Sequence, residues 1–171
     1  MTLDALALEM KATHVLGAGR IGEAVDVVSE MFHDRSFTNF LTIAGPMVPA
    51  GFRLLFGDLI DRGFLDAIVT TGANLTHDVI ESLGLHHYQG SFQVDDRKLI
   101  QRGYSRIADI FVKESSFERL DITVRKLLRK IPVADRRNIA FSDLLFRLGG
   151  MIKDRDSILH KAASRNVKIF S

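Results

Sequence analysis

The chain has 171 residues, 46% of them hydrophobic and 26% charged, which is typical of one globular domain with a real core. The formal net charge is only +2, and the apolar runs are too short to cross a bilayer, so no membrane segment is expected. The lack of cysteine excludes disulfides and thiolate chemistry, and the early acid at the start does not fit a secretory signal, so we expect a cytoplasmic protein.

The first forty residues predict two helices, at residues 4–11 and 20–32, the second with apolar residues at helical spacing. Residues 17–22, with the sequence GAGRIG, fit the G-x-G-x-x-G pattern that brings a dinucleotide pyrophosphate onto a helix N-terminus. The context supports this only in part, because residues 13–16 are short for a strand and no acid follows at the expected distance. The alternative is a glycine-rich entry to a helix without a ligand.

Two strand–turn–helix units follow. Residues 40–44 predict a strand, and the turn from Gly45 to Gly51 leads into a helix that begins at Pro49 and ends before Gly63. Residues 66–70 predict the next strand. Its apolar centre shows no polar alternation, so we expect a central strand that is buried on both faces.

The turn after this second strand is the most informative segment of the chain. Residues 70–78 begin with small side chains whose backbone can approach a ligand closely, and a helix is predicted over residues 76–83. Because parallel strands open at the same end of a sheet, we expect this turn to lie beside the turn of residues 45–51. Together they should form the wall of a ligand crevice.

The remaining pattern continues the alternation of helices and strands. The predicted elements are a helix at 95–102, a strand at 106–112, a helix at 115–130, a helix ending before Gly149-Gly150, a helix at 156–164 and a strand at 167–170. They predict a single α/β domain over residues 1–171, Rossmann-like, with a mostly parallel sheet flanked by helices. Since the sequence stops on a strand, we expect a domain that is incomplete at its C-terminus and buries this strand against another chain.

Two other patterns suggest ligands but are weak. Basic pairs at residues 125–126, 129–130 and 136–137 would suit nucleic acid, yet no aromatic residues are interleaved for stacking, so we expect a solvated surface and no nucleic acid partner. His77, His86 and His87 fit no standard zinc spacing, so no metal site is expected.

Five separated segments resemble the deoxyhypusine synthase family. They are LTIAGPMVPAGFR at 41–53, DAIVTTGANLTHD at 66–78, GYSRIAD at 103–109, FSDLLFRLG at 141–149 and VKIFS at 167–171, and they follow one another in the order found in the family. The resemblance extends from about residue 12 to the end. It implies the fold of the family's N-terminal, NAD-binding half.

The resemblance also implies NAD as the cofactor. The turn of residues 45–51 matches the family's first nucleotide-binding turn at Gly51 but lacks its Ser and Asn, so we expect contacts from the backbone. The turn that begins at Thr70 matches the segment that lines the NAD site. The implied cofactor-binding residues are Gly45, Gly51, Thr70, Thr71, Gly72 and Ala73.

The implied amine site departs from the family's pattern. Two acids hold the polyamine in the family, and Thr76 and His77 stand in their place, ahead of the matching Asp78. A neutral Thr-His pair cannot hold an ammonium group by charge at pH 7. Either the amine differs, or another part of the assembly supplies the acids. The expected substrate-binding residues are Thr76, His77 and Asp78.

The family's chemistry is a transferase reaction. NAD takes a hydride from spermidine, and the aminobutyl group passes to a lysine of the enzyme and then to a lysine of a translation factor precursor. That enzyme lysine lies in the family's second half, and none of the eight lysines here matches it, so no catalytic residue is assigned. We expect half of such an enzyme, inactive without the C-terminal half. The expected partner is a complementary chain that carries that half, or further copies of this chain in a homo-oligomer. The alternatives are a non-catalytic regulatory or structural partner descended from the enzyme, or a homospermidine synthase-like polyamine enzyme.

Overall fold

The computed structural model describes all residues from Met1 to Ser171. The chain divides into two compact units, residues 1–39 and 40–171. The single domain expected over residues 1–171 stays a prediction. No helix is long and apolar enough to cross a membrane.

The first unit is a hairpin of two helices, α1 (Leu3–Ala12) and α2 (Leu16–His33). The Thr2 hydroxyl caps α1 by accepting a hydrogen bond from the Ala5 amide at 3.2 Å. Both helices were predicted, but α2 begins four residues earlier than expected. In consequence the glycine-rich residues 17–22 lie inside the helix, and the segment ahead of them forms no strand.

The second unit alternates strands and helices around two small sheets. Its elements in chain order are β1 (Phe40–Ile43), a π-helical turn (Val48–Phe52), α3 (Arg53–Asp61), β2 (Ala67–Thr70), α4 (Gly72–Ser82), β3 (His87–Gln89), α5 (Asp96–Gln101), β4 (Tyr104–Ile107), β5 (Ile110–Lys113), α6 (Glu114–Arg129), α7 (Val133–Arg136), α8 (Phe141–Met151), α9 (Ile158–Arg165) and β6 (Lys168–Phe170).

A parallel sheet of order β1-β2-β6 organises this unit, so the α/β fold expected from the sequence is confirmed. On the inner face, Ile68 of the central strand pairs in register with Leu41 and Ile169. Ile68 is fully buried and belongs to an apolar core that also includes side chains of α3, α4, α8 and α9. Burial of this face gives the sheet its stability.

The outer face of the sheet is less covered than expected. Burial of β2 on both faces was predicted, and this is wrong for Val69, whose side chain is 42% exposed on a central strand. Its in-register partners Thr42 and Phe170 are exposed as well. Parallel sheets normally have both faces covered, so this strip of the outer face is available to a covering layer.

The second sheet, of order β3-β5-β4, is antiparallel and was not predicted. The single strand expected at residues 106–112 is wrong, because the chain reverses between Ile107 and Ile110. Ala108 adopts a left-handed conformation there, with φ 56°. This reversal lacks the glycine or asparagine that marks most such turns, so no residue pattern indicated it.

Two predicted helix boundaries are also corrected. No continuous helix begins at Pro49: the π-helical turn is interrupted at Gly51, with φ 94°, and α3 begins only at Arg53. Gly149-Gly150 does not end α8, which continues to Met151. A Cβ on Gly149 would lie 2.2 Å from the carbonyl oxygen of Leu159, so this glycine permits close contact between α8 and α9.

Candidate functional site

The carboxyl ends of β1 and β2 meet at one edge of the parallel sheet, where Asn74 joins the two following turns. Its Oδ1 accepts a hydrogen bond from the Val48 amide at 3.2 Å, and its Nδ2 donates to the Thr70 hydroxyl at 3.2 Å. Asn74 is only 2% exposed, so these bonds are shielded from water. The two turns therefore lie side by side, as expected from the sheet topology.

This edge exposes backbone more than side chains. Gly45 and Gly51 are exposed in left-handed conformations, which few other residues adopt without strain. Thr71, Gly72 and Ala73 are exposed at the start of α4, whereas Thr70 is buried against Asn74. The structure thus places all six predicted cofactor residues at one sheet edge, five of them accessible.

The amino end of α4 suits a phosphate group. Thr71, at the cap position of this eleven-residue helix, accepts a hydrogen bond from Asn74 Nδ2 at 3.4 Å, but its side chain bonds no backbone amide of the helix. The Gly72 and Ala73 amides therefore lack an intrahelical partner. Gly72 has no side chain to block an approaching group. Exposed amides and the helix dipole favour an anion such as a pyrophosphate, so the residues present fit a dinucleotide.

Asp78 lies at the centre of a buried polar network. Its carboxylate is fully buried and accepts four hydrogen bonds: from Arg53 Nε at 2.7 Å, Ser157 Oγ at 2.8 Å, and the amides of Ile158 and Leu159 at 3.0 and 3.1 Å. The last three donors belong to the amino end of α9, so Asp78 caps that helix. A contact between Asp78 and a substrate would require these bonds to break, and its predicted substrate role stays a prediction.

Arg53 extends the network to the loop before α9. Its Nη2 donates to Asp154 Oδ2 at 2.6 Å and to Ser82 Oγ at 2.8 Å. Burial opposes the charge of the guanidinium, but Asp78 and Asp154 outweigh it and raise the pKa of Arg53. Burial likewise works against the charge of Asp154, yet the hydrogen bond from Arg53 keeps the pKa of that carboxyl below its usual value.

A chain of three side chains lies on another side of α4. The ring nitrogens His77 Nδ1 and His87 Nε2 are 2.9 Å apart, and His87 Nδ1 lies 2.8 Å from Glu81 Oε1. Phe117 of α6 packs edge-on against the His77 ring, with centroids 6.2 Å apart. This pairing could not be predicted from the sequence, because the unpredicted strand β3 brings His87 to His77.

Burial, and after it the neighbouring His87, lower the pKa of His77 to about 4 against the opposing effect of Glu81. His77 is therefore neutral at pH 7. The facing nitrogens of His77 and His87 are occupied by their mutual hydrogen bond, and His86 is exposed. No group of three or more His, Cys, Asp or Glu side chains is arranged to hold a metal ion.

The hydrogen-bonded side chains of His77 and His87 lie close to the turn of residues 45–51. A cavity of about 350 Å³ separates Pro49 and Ala50 of the π-helical turn from β3, and His87, Tyr88 and Asp109 line its other side. Thr76, the remaining predicted substrate residue, is half-buried on α4 next to His77. The predicted cofactor and amine residues therefore occupy adjoining parts of the second unit.

The lowered pKa of His77 predicts a loss of stability in mild acid. The unfolded chain takes up this proton near pH 6.5 but the folded chain only near pH 4, so the free energy of unfolding falls as pH decreases through that window. We expect a loss on the order of 2–3 kcal/mol, since each pKa unit corresponds to about 1.4 kcal/mol. Urea unfolding at a series of pH values measures this loss, and His77→Gln should flatten it. An unchanged slope in that variant would contradict the assignment.

The glycine-rich pattern of residues 17–22 has a packing role. A Cβ on Gly22 would lie 2.4 Å from Lys11 Cβ, and one on Gly19 would lie 3.0 Å from the carbonyl carbon of His14. Both glycines face the preceding helix or its end, and they are the buried residues of α2. The dinucleotide interpretation is therefore wrong for this segment: no strand precedes it, and its glycines bring α1 and α2 together.

We expect Gly22→Ala to separate α1 from α2 without affecting cofactor binding. Amide hydrogen exchange should become faster throughout α1, because the new methyl group would overlap Lys11. Gly17→Ala is the matched control, since a Cβ there meets nothing within 4 Å. If Gly22→Ala weakened NAD binding while α1 stayed protected, the dinucleotide interpretation would have to be restored.

Comparison with known proteins identifies the family of this chain. The family model described as deoxyhypusine synthase matches residues 5–171. A protein named probable deoxyhypusine synthase 1 from Methanosarcina mazei is 38% identical over 170 residues, which are 99% of this chain and 52% of that protein. One named probable deoxyhypusine synthase from Methanothermobacter thermautotrophicus is 37% identical over 171 residues, or 100% of this chain and 55% of that protein.

A solved structure shares the fold. The crystal structure of an Entamoeba histolytica protein described as a candidate deoxyhypusine synthase superposes with a TM-score of 0.67 at 17% identity, covering 94% of this chain and 56% of that one. This chain spans about half the length of the curated relatives it matches. The resemblance carried by the five sequence segments is confirmed: the chain belongs to the deoxyhypusine synthase family.

Proposed function

We propose that this chain forms the NAD-binding half of an aminobutyl transferase that acts on a polyamine and on a lysine of a translation factor precursor. The relatives' names supply the reaction, and one observation in this structure carries the cofactor assignment. Asn74 holds the turns after β1 and β2 together at the sheet edge, beside the uncapped amino end of α4. Bound there, NAD would supply the hydride acceptor for oxidation of the amine.

Each exposed residue at this edge has a role in the proposal. The amides of Gly72 and Ala73 bind the pyrophosphate, and the backbone at Gly45 and Gly51 gives close contact. The exposed Thr71 hydroxyl, which accepts a hydrogen bond from Asn74 Nδ2 at 3.4 Å, donates its own hydrogen to the cofactor. The buried Thr70 positions this group through its bond to Asn74. Thr76 and His77 lie on the amine side of the site.

The reaction also requires a lysine nucleophile, and we propose that a complementary chain supplies it. The outer face of the parallel sheet exposes Phe40, Val69 and Phe170, the last two in register. An uncovered apolar face on a parallel sheet favours a further layer of protein. Native mass spectrometry of the complex purified from its source should show a second chain in equal number. A homo-oligomer that transfers aminobutyl groups unaided would contradict this arrangement.

We expect Thr71→Val to weaken NAD binding by about 1 kcal/mol, roughly fivefold in Kd, since a neutral hydrogen bond contributes about 0.5–1.5 kcal/mol. Isothermal titration calorimetry of NAD into the purified complex measures the change. Thr38→Val is the control, because Thr38 is exposed and lies ahead of β1, away from the carboxyl edge of the sheet. Equal affinities for the two variants and the wild type would remove Thr71 from the cofactor site.

A further inference from the structure

The direction of the hydrogen bonds in the Glu81–His87–His77 chain follows from chemistry. A carboxylate can only accept, so His87 Nδ1 carries a hydrogen and donates to Glu81. A neutral His87 then has a bare Nε2, which accepts from His77 Nδ1. His77 Nε2 is consequently left without a proton. Glu81 thus fixes the tautomer of a ring two hydrogen bonds away.

The bare nitrogen is the open end of the chain. Both nitrogens of His87 are occupied, whereas His77 Nε2 has no partner within the protein. This nitrogen is not sealed from solvent. The His77 ring is only 7% exposed, and Phe117 packs against it, so the ring is held in place while one nitrogen stays reachable.

We propose that His77 Nε2 takes a proton from an ammonium group of the amine substrate and that the positive charge passes to His87. This rests on the proposed function. The N–H bond of the ammonium breaks as Nε2–H forms, and the Nδ1 proton of His77 moves to His87 Nε2. The products are a neutral amine, a neutral His77 of the opposite tautomer, and a His87 imidazolium paired with Glu81. One proton is relayed, and no electrons move.

The relay explains why a weakly basic histidine stands here. With a pKa of about 4, His77 would hold a proton poorly by itself. After the relay the charge lies on His87, whose Nδ1 is 2.8 Å from a carboxylate. Arg53 of α3 also faces this carboxylate, with Nη1 4.0 Å from Glu81 Oε2, and the Phe117 ring of α6 packs against His77. Loss of a hydride from the substrate carbon next to the amine nitrogen needs the lone pair of that nitrogen. Only the neutral amine has this lone pair.

Long-range ¹H–¹⁵N correlation spectra of the purified complex, reconstituted with this chain ¹⁵N-labelled, test this proposal at pH 7. We expect His77 in the Nδ1–H tautomer. Spermidine should convert it to the Nε2–H tautomer and bring His87 to the doubly protonated form. His87→Phe removes the acceptor for Nδ1–H, so the Nε2–H tautomer should appear without spermidine. His86→Phe is the matched control, since His86 is exposed, and should leave the His77 signals unchanged.

Glu81→Gln keeps an acceptor for His87 but removes the charge, so the starting tautomer should survive while spermidine no longer protonates His87. This variant serves if His87→Phe does not fold. An Nε2–H tautomer in the wild type, or spectra of His77 and His87 that do not change with spermidine, would overturn the relay. The tautomer is measured without NAD, so it tests the relay alone. Calorimetry with NAD tests the cofactor site of the proposed function separately.

Discussion

Asp78→Ala should destabilise the protein by about 3–5 kcal/mol, the range found when one partner of a buried ion pair is removed. The substitution would leave the Arg53 guanidinium with only part of its compensating charge. It would also leave the Ser157 hydroxyl and the amides of Ile158 and Leu159 without their acceptor. Urea unfolding followed by circular dichroism measures the loss as a lower midpoint at an unchanged slope.

Asp96→Ala is the control for this prediction. Asp96 also binds an arginine through two hydrogen bonds, at 2.8 and 3.0 Å from Arg106, but it lies on the surface. Exposed pairs contribute about 0–1 kcal/mol, because water solvates both partners once they separate. If the two alanine variants lost similar amounts, the carboxylate of Asp78 would not be the centre of the buried network.

Gly149→Ala should cost about 3 kcal/mol or more, at or beyond the upper end of the usual range for overpacking. The new Cβ would lie 2.2 Å from the carbonyl oxygen and 2.8 Å from the carbonyl carbon of Leu159. These are backbone atoms of α9, so no side-chain rotation relieves the overlap and the two helices must move apart. A thermal melt should show a lower Tm, and amide exchange in α9 should become faster.

The neighbouring glycine gives a matched comparison for this second prediction. A Cβ on Gly150 meets nothing within 4 Å, and this residue also lies within α8. Alanine is the better helix former by about 1 kcal/mol, so Gly150→Ala should be neutral or slightly stabilising. Equal effects of the two substitutions would mean that the close contact between α8 and α9 does not exist in solution.

The parallel sheet could be predicted because its strands are apolar and alternate with helices of clear periodicity. The turns beside Asn74 followed from topology alone, since parallel strands end at the same edge. The antiparallel sheet could not be predicted: its strands are three or four residues long, and the reversal at Ala108 uses neither glycine nor asparagine. Short strands carry too few residues to show a period.

The contacts of individual side chains were harder to predict than the helices and strands. Asp78 occupies the expected place in the chain, but its four buried donors come from α3 and the start of α9, and only the folded structure brings them together. The His77–His87 contact depends in the same way on β3. A pattern of residue types shows what a side chain can do, whereas its partners depend on contacts between distant segments.

The pairing of β2 with β6 has a consequence for the folding kinetics. Ile68 and Ile169 are neighbours across the two strands, yet they lie about a hundred residues apart in the sequence, so joining them requires closure of a long loop. The β4–β5 hairpin closes over two residues and can form early. We therefore expect docking of β6 to be the slow step of refolding, and substitutions at Ile169 to change the folding rate more than substitutions in the hairpin.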